Sequence, residues 1–166
     1  MGLKVTNLGI QKNSSKNEIS FRKCLLITLS GLTGLQNCLA NAVEKHSELV
    51  IDKILALCLG DIDDQEIIQA GLNCVDVIIE SSCSNDWKLD QTLIERLVEH
   101  VKKFLYSTNE DLQATALSIL IHVSDYDISQ QLKIELLVNS ILLATSKHEQ
   151  TKDQTFKYLT KLTQVI

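Results

Sequence analysis

Not one of the 166 residues is proline, where average usage supplies about eight in a chain this long. Proline removes a helix hydrogen bond and clashes with the preceding turn, so no residue here breaks a helix by its own ring. Only glycines and polar caps are left to divide the chain. Apolar residues make up 45% of it, an aliphatic content that excludes a disordered polypeptide. Its length suffices for one domain with a full core. Few segments alternate in polarity, and neither Asn-Gly nor Asp-Gly occurs, so strand and hairpin signals are weak. The expected fold class is all-α.

Residues 1–16, rich in Gly, Asn, Ser and scattered lysines, read as a flexible leader, and 17–166 as the folded domain. The apolar periodicity predicts eight helices. The first covers about 17–30 and the second 35–45, loosened from each other by Gly31 and Gly34. Ser47 is the expected cap of a third helix at 48–59, with Val50, Ile54, Leu57 and Cys58 inward and Gly60 at its end. Asp63 or Asp64 starts a fourth, to about Glu80, burying Ile67, Gly71, Leu72, Val75 and Ile78. Ser81-Ser82-Cys83-Ser84-Asn85-Asp86 is the clearest loop. Asp90 starts a fifth helix, to about Tyr106, whose Leu93, Leu97, Val101, Phe104 and Leu105 follow a helical stripe. Asn109 caps a sixth at 110–123, Ser129 a seventh to about Thr145 with Leu136, Leu137, Ile141 and Leu142 inward, and an eighth runs 149–165 with Phe156, Leu159 and Leu162. Short connections make neighbouring helices antiparallel hairpins.

The most informative pattern is internal repetition. One template, polar or acidic, then apolar three residues on, then small or apolar, then apolar at four-residue steps, fits Glu18–Phe21–Leu25–Leu29. It also fits Asp64–Ile67–Gly71–Val75 and Asn109–Leu112–Ala116–Leu120, with a weaker copy at His148–Thr151–Thr155–Leu159. The anchors Phe21, Ile67, Leu112 and Thr151 are spaced by 46, 45 and 39 residues, the length of two helices plus two turns. This resembles the HEAT/armadillo superfamily of α-solenoids, whose second helix carries D-x-x-V-R-x-x-A-x-x-x-L. Arg22 follows Phe21 as the family arginine follows its valine; Ile68, Gln113 and Lys152 stand there in the other copies. The resemblance implies about three and a half antiparallel helix pairs stacked in line. A compact eight-helix bundle with the same periodicity is the alternative. In either case Leu117 belongs to the core.

Charge narrows the partners. Sixteen basic and 21 acidic side chains leave a net −5, distributed as +4 over residues 1–43, −9 over 44–99 and zero over 100–166. The broad basic stripe that nucleic acid requires is missing. Lys4, Lys12, Lys16, Arg22 and Lys23 form a basic flank. No apolar run approaches the roughly 18 residues of a membrane span, and no apolar signal segment opens the chain. The five cysteines, Cys24, Cys38, Cys58, Cys74 and Cys83, are odd in number and form no C-x-x-C; Cys24, Cys58 and Cys74 read as buried free thiols. A reducing compartment, cytoplasmic or nuclear, follows as the expectation, and with it an unused glycosylation acceptor at Asn13-Ser14-Ser15.

Reactive constellations are weak. His46, His100, His122 and His148 form no H-E-x-x-H and no metal spacing with cysteine. The acids Asp61, Asp63, Asp64 and Glu66 lack the EF-hand pattern and suit helix capping. No phosphate-binding glycine loop or nucleophile elbow occurs. The reading is therefore a non-enzyme without metal or cofactor: a scaffold or adaptor that binds another protein or peptide and belongs to a larger complex. In the family it resembles, second helices line the concave face. The outward positions here are Asn73, Asp76 and Glu80, then Ser118, His122 and Asp125, then Lys157, Lys161 and Gln164, a stripe running from acidic to basic. Trp87, the sole tryptophan, is either a staple onto the next helix or a partner anchor. The terminal Val165-Ile166 suggests docking on a further repeat or a second copy. The alternative function is a DNA-associated helical-repeat protein, since some HEAT-like folds are glycosylases.

Overall fold

The computed structural model describes residues 20–31, 40–60, 63–85, 87–145 and 149–165. Among them all regular structure is helical: α1 (20–31), α2 (Ala40–Leu57), α3 (Gln65–Ser84), α4 (Gln91–Val101), α5 (Glu110–Val123), α6 (Gln130–Leu143) and α7 (Glu149–Val165). A 3-10 turn, Lys102–Tyr106, continues α4. The expected leader, Gly34, Leu35, Leu39, Cys38 and His148 lie outside the described residues. No described helix is long and apolar enough to cross a membrane.

Capping chemistry sets four starts. Asp64 accepts from the amides of Glu66 and Ile67, Asp90 from Thr92 and Leu93, Asn109 from Asp111 and Leu112, and Ser129 from Leu132. Each satisfies amides that the first turn leaves without an intrahelical partner. Of the two acids offered for α3, Asp64 is the cap.

Two expected boundaries are corrected. The second and third helices are one: α2 runs unbroken through residues 45–48, and Ser47 is buried inside it rather than capping it. Neither glycine nor proline interrupts 40–57, so continuing the helix satisfies amides that a cap at Ser47 would serve less fully. The Ser-rich loop is mostly helix as well. α3 extends to Ser84 because the Ser82 hydroxyl donates to the Ile79 carbonyl at 2.7 Å and is buried. Asn85 ends the helix, its side-chain amide donating to the Ser81 carbonyl at 2.9 Å.

The helices pack in two files. In one, α3 contacts α5 and α5 contacts α7; in the other, α2 contacts α4, and α6 contacts the 102–106 turn that ends α4. The pairs α2–α3, α4–α5 and α6–α7 join the files. Their shared core holds Ile51, Leu72, Val75, Ile79, Ile94, Leu97, Val101, Leu117, Leu120 and Val123, which places most of the expected inward positions correctly, Leu117 among them. Leu57, Ile141 and Phe156 were expected inside and are exposed, as is the repeat anchor Phe21.

Several hydrogen bonds between neighbouring elements lie near the repeat spacing, among others that range from 33 to 42 residues. Arg22 bonds Glu66, Asn109 bonds Gln65, Ser82 bonds Tyr126 and Arg96 bonds Asp52, each pair 44 residues apart; Gln69 bonds Thr115 across 46. Those separations match the 46- and 45-residue spacing of Phe21, Ile67 and Leu112. The pitch shortens beyond α4, where Lys102–Glu135 and Tyr106–Asn139 are 33 apart, because α6 rests on the 3-10 turn. Where α2 crosses α3, a Cβ on Gly71 would stand 2.7 Å from Cys58 Cβ and 3.3 Å from Ile54 Cγ2. The missing side chain is what permits that approach.

Candidate functional site on the α3, α5 and α7 file

The predicted stripe divides when its side chains are placed. Asp76 on α3 is partly buried and accepts a hydrogen bond from Ser118 on α5; burial pushes its carboxyl up to about 6, with Glu80 adding to the rise. Its Oδ1 has no hydrogen-bond partner among the described residues. One turn on, Glu80 is exposed and lies electrostatically close to His122 of α5. Burial holds the His122 imidazole below its ordinary range, with Lys161 in the same sense and Glu80 and Asp125 opposing. Lys161 reaches over from α7, its Nζ donating to the Ile121 carbonyl at 2.8 Å and to Asp125 Oδ2 at 2.7 Å. Asp76, Glu80, Ser118, His122, Asp125 and Lys161 thus form one continuous patch across three helices.

Asn73 and Lys157 stand apart from it. Asn73 is exposed and accepts from Gln69 within α3 at 2.8 Å. Lys157 is exposed and pairs with Asp153 within α7 at 2.7 Å. The expected gradient from acidic to basic is also altered. Lys161 is already neutralised by Asp125, so the patch presents carboxylates to solvent more than it presents a cation.

Trp87 borders the same patch. Its ring packs on the core, and its backbone amide donates to the Ser82 carbonyl at 3.2 Å. With Ser82, Cys83, Lys88, Asp125 and Tyr126 it lines a small cavity of about 210 Å³. Tyr126 fixes the floor, sharing a 2.9 Å hydrogen bond with Ser82 and accepting from the Leu89 amide at 3.4 Å. The indole Nε1 is buried and meets no acceptor among the described residues. The place directly before the Asp90 cap, where a staple residue sits, belongs to buried Leu89. Trp87 is two positions further back, packed but with its edge on the cavity.

The larger cavity, about 430 Å³, is a groove between α4 and α6 bordered by Glu95, Glu99, His100, Gln131, Leu132 and Glu135. The sequence did not signal it, since its two walls, such as Glu99 and Glu135, lie 36 residues apart and their polar residues have no motif. Lys102 bridges Glu99 and Glu135, at 2.7 and 3.1 Å, at one end.

The cysteines are also redistributed. Cys58 and Cys74 are buried free thiols that burial raises to about 11, whereas Cys24 and Cys83 are exposed. Cys24 was expected inside, but lies on the outward side of α1. Cys83 lies against the His122 carbonyl, with Sγ 3.7 Å from the oxygen, and burial of its thiol raises its pKa too. A raised thiol pKa works against a nucleophilic role. Among the described residues no three His, Cys, Asp or Glu side chains group as metal ligands would. No known protein family, curated protein or solved structure matches the chain.

Proposed function

We propose that this chain is a short α-solenoid of HEAT/armadillo type and acts as a non-enzymatic scaffold or adaptor that binds a partner protein. The observation that carries the reading is a set of hydrogen bonds between neighbouring elements at 44 to 46 residues, with others at 40 to 42 such as Arg22–Asp64, Asp90–Glu48, Thr151–Glu110 and Lys161–Ile121. Corresponding positions in successive helix pairs touch, the arrangement in which a repeat buries on its neighbour the face it cannot cover alone. Stacked pairs of this kind offer an extended surface built from one helix of each pair, and here that surface is the α3, α5 and α7 file with its patch from Asp76 to Lys161.

The patch favours protein over nucleic acid, because Asp76, Glu80 and Asp125 outweigh Lys161 there and repel phosphates. A helical or extended peptide carrying basic side chains complements it. The test is quantitative affinity capture from the native source with the full chain, its Asp76→Lys/Glu80→Lys double variant and a Lys103→Glu control. A protein held by the wild type and the control and lost from the double variant supports the reading. Identical captures by all three chains would remove the patch from consideration.

A further inference from the structure

The groove between α4 and α6 is tied at both ends and open between them. The two helices run in the same direction. Near their starts Gln91 donates to the Asp127 carbonyl at 2.5 Å; further along, Lys102 donates to Glu135 at 3.1 Å and Tyr106 to Asn139. Gln91 and Lys102 are 11 residues apart, about 16 Å along a helix. Over that length the α4 wall presents Glu95 and Glu99, and the α6 wall presents Gln131 and Glu135, with buried Leu132 also lining the space. Carboxylates from two helices therefore border one groove.

The protein's own cations balance these walls only in part. Arg96 lines the groove, but Asp52 of α2 takes its guanidinium at 2.6 Å. His100 turns Nδ1 to the Arg96 carbonyl at 2.8 Å. Glu95 has no ion pair among the described residues. With Arg96 and Asp52 cancelling, three carboxylates against the Lys102 ammonium leave a net −2. At the tied end Lys102 shows what such walls hold. Its Nζ lies 2.7 Å from Glu99 and 3.1 Å from Glu135, so one cation spans both helices, and its side chain is only 20% exposed. Glu99 first, and Glu135 after it, raise the Lys102 pKa. A covered aliphatic stem with its charge on carboxylates is how long basic side chains pack.

We infer that the open stretch of this groove receives an arginine side chain from a basic segment of a partner protein, its guanidinium held by Glu95 and Glu99 with Glu135 opposite. The guest repeats, one turn back, the contact that Lys102 makes in the chain itself. Glu95 and Glu99 are four residues apart and so neighbours on one helix face. A planar guanidinium can donate to both at once, which a single ammonium does less well, and its stem lies along Leu132. The volume of about 430 Å³ falls in the range of clefts that take small guests. The same carboxylates repel phosphates and acidic segments. This groove lies on the other file from the Asp76–Lys161 patch and does not rest on it.

Titration of the isotope-labelled full chain with an acetylated, amidated Gly-Arg-Gly-Arg-Gly peptide, followed by amide chemical shifts, tests it. A peptide of the same length with citrulline for arginine is the uncharged control. The expected result is saturable shifts centred on residues 92–100 and 129–135 with the arginine peptide and none with citrulline. The double variant Glu95→Gln/Glu135→Gln should bind about tenfold more weakly, having lost two charge-assisted contacts. Both side chains are exposed, so its melting should match wild type. Asp76→Lys/Glu80→Lys, on the other file, should leave the titration unchanged. No saturable shift, an equal response to citrulline, indifference to the paired glutamine substitutions, or loss of binding in Asp76→Lys/Glu80→Lys would each overturn the assignment.

Discussion

The Arg22 guanidinium on α1 grips Asp64, the residue that caps α3, and reaches Glu66 in the same turn at 2.6 Å. One carboxylate therefore serves a helix terminus and the contact between successive helices. The pairing holds the Asp64 carboxyl below its ordinary range. Asp64→Ala should cost about 1 kcal/mol as a lost cap, while Arg22→Ala should cost less and depend on salt, as exposed ion pairs do. A carboxyl whose pKa is lowered on folding stabilises above its unfolded pKa, and the benefit goes as pH falls through the folded value. The gap between wild type and Asp64→Ala in urea melts should close in acid; a gap independent of pH contradicts this role.

Asp76 has the opposite sign. Its carboxyl is raised to about 6, so the folded state favours the protonated form. Its contribution is present below the unfolded pKa and is lost as pH rises from about 4 to 6, leaving a constant penalty above. Asp76→Asn keeps an acceptor for Ser118 and removes the charge. It should melt higher than wild type at neutral pH, by an amount on the order of 1–3 kcal/mol, with the advantage gone near pH 4. Equal melting of the two proteins at neutral pH would contradict the buried-carboxylate assignment.

The two helical glycines Gly71 and Gly31 should respond oppositely to alanine. At Gly71 the new Cβ meets Cys58 at 2.7 Å, and overpacking of this kind costs about 1–3 kcal/mol. At Gly31 nothing lies within 4 Å, so alanine should be neutral or stabilise by up to about 1 kcal/mol. Thermal melts of both variants decide it; equal effects would mean that α2 and α3 are not in close contact at Gly71.

Leu117 is fully buried between the files. Leu117→Ala should cost about 2–5 kcal/mol, and Leu117→Asp, which buries an unpaired charge, should abolish cooperative unfolding. A sigmoidal melt of Leu117→Asp at the wild-type midpoint would show that the residue is outside the core.

Much of this architecture was legible in the residues. Side-chain caps are local, so Asp90, Asn109 and Ser129 were readable as helix starts from their own neighbourhoods. The break expected at Ser47 was absent because a serine that can cap a helix also fits inside one when its surroundings bury it. Ser82 misled in the same way, its hydroxyl satisfied by the preceding turn. Ile141 and Phe156 followed the helical stripe, but a stripe reports periodicity and cannot say whether a neighbour exists to cover it. The patch was only partly foreseen. Helical phase placed Asp76, Ser118, His122 and Lys161 together, but the Lys161–Asp125 pair and the groove between α4 and α6 depend on how separate helices meet.

The proposed linear order of the helices is measured most directly as a distance between its ends. Spin labels at exposed Lys23 on α1 and Lys157 on α7, in a background without the native cysteines, would be read by pulsed dipolar spectroscopy. Three successive helix contacts at 8–10 Å each predict a single separation of roughly 24–30 Å. A dominant distance near one helix spacing, about 10–15 Å after label length, would mean that α1 and α7 meet around one centre, and would contradict the stacked arrangement.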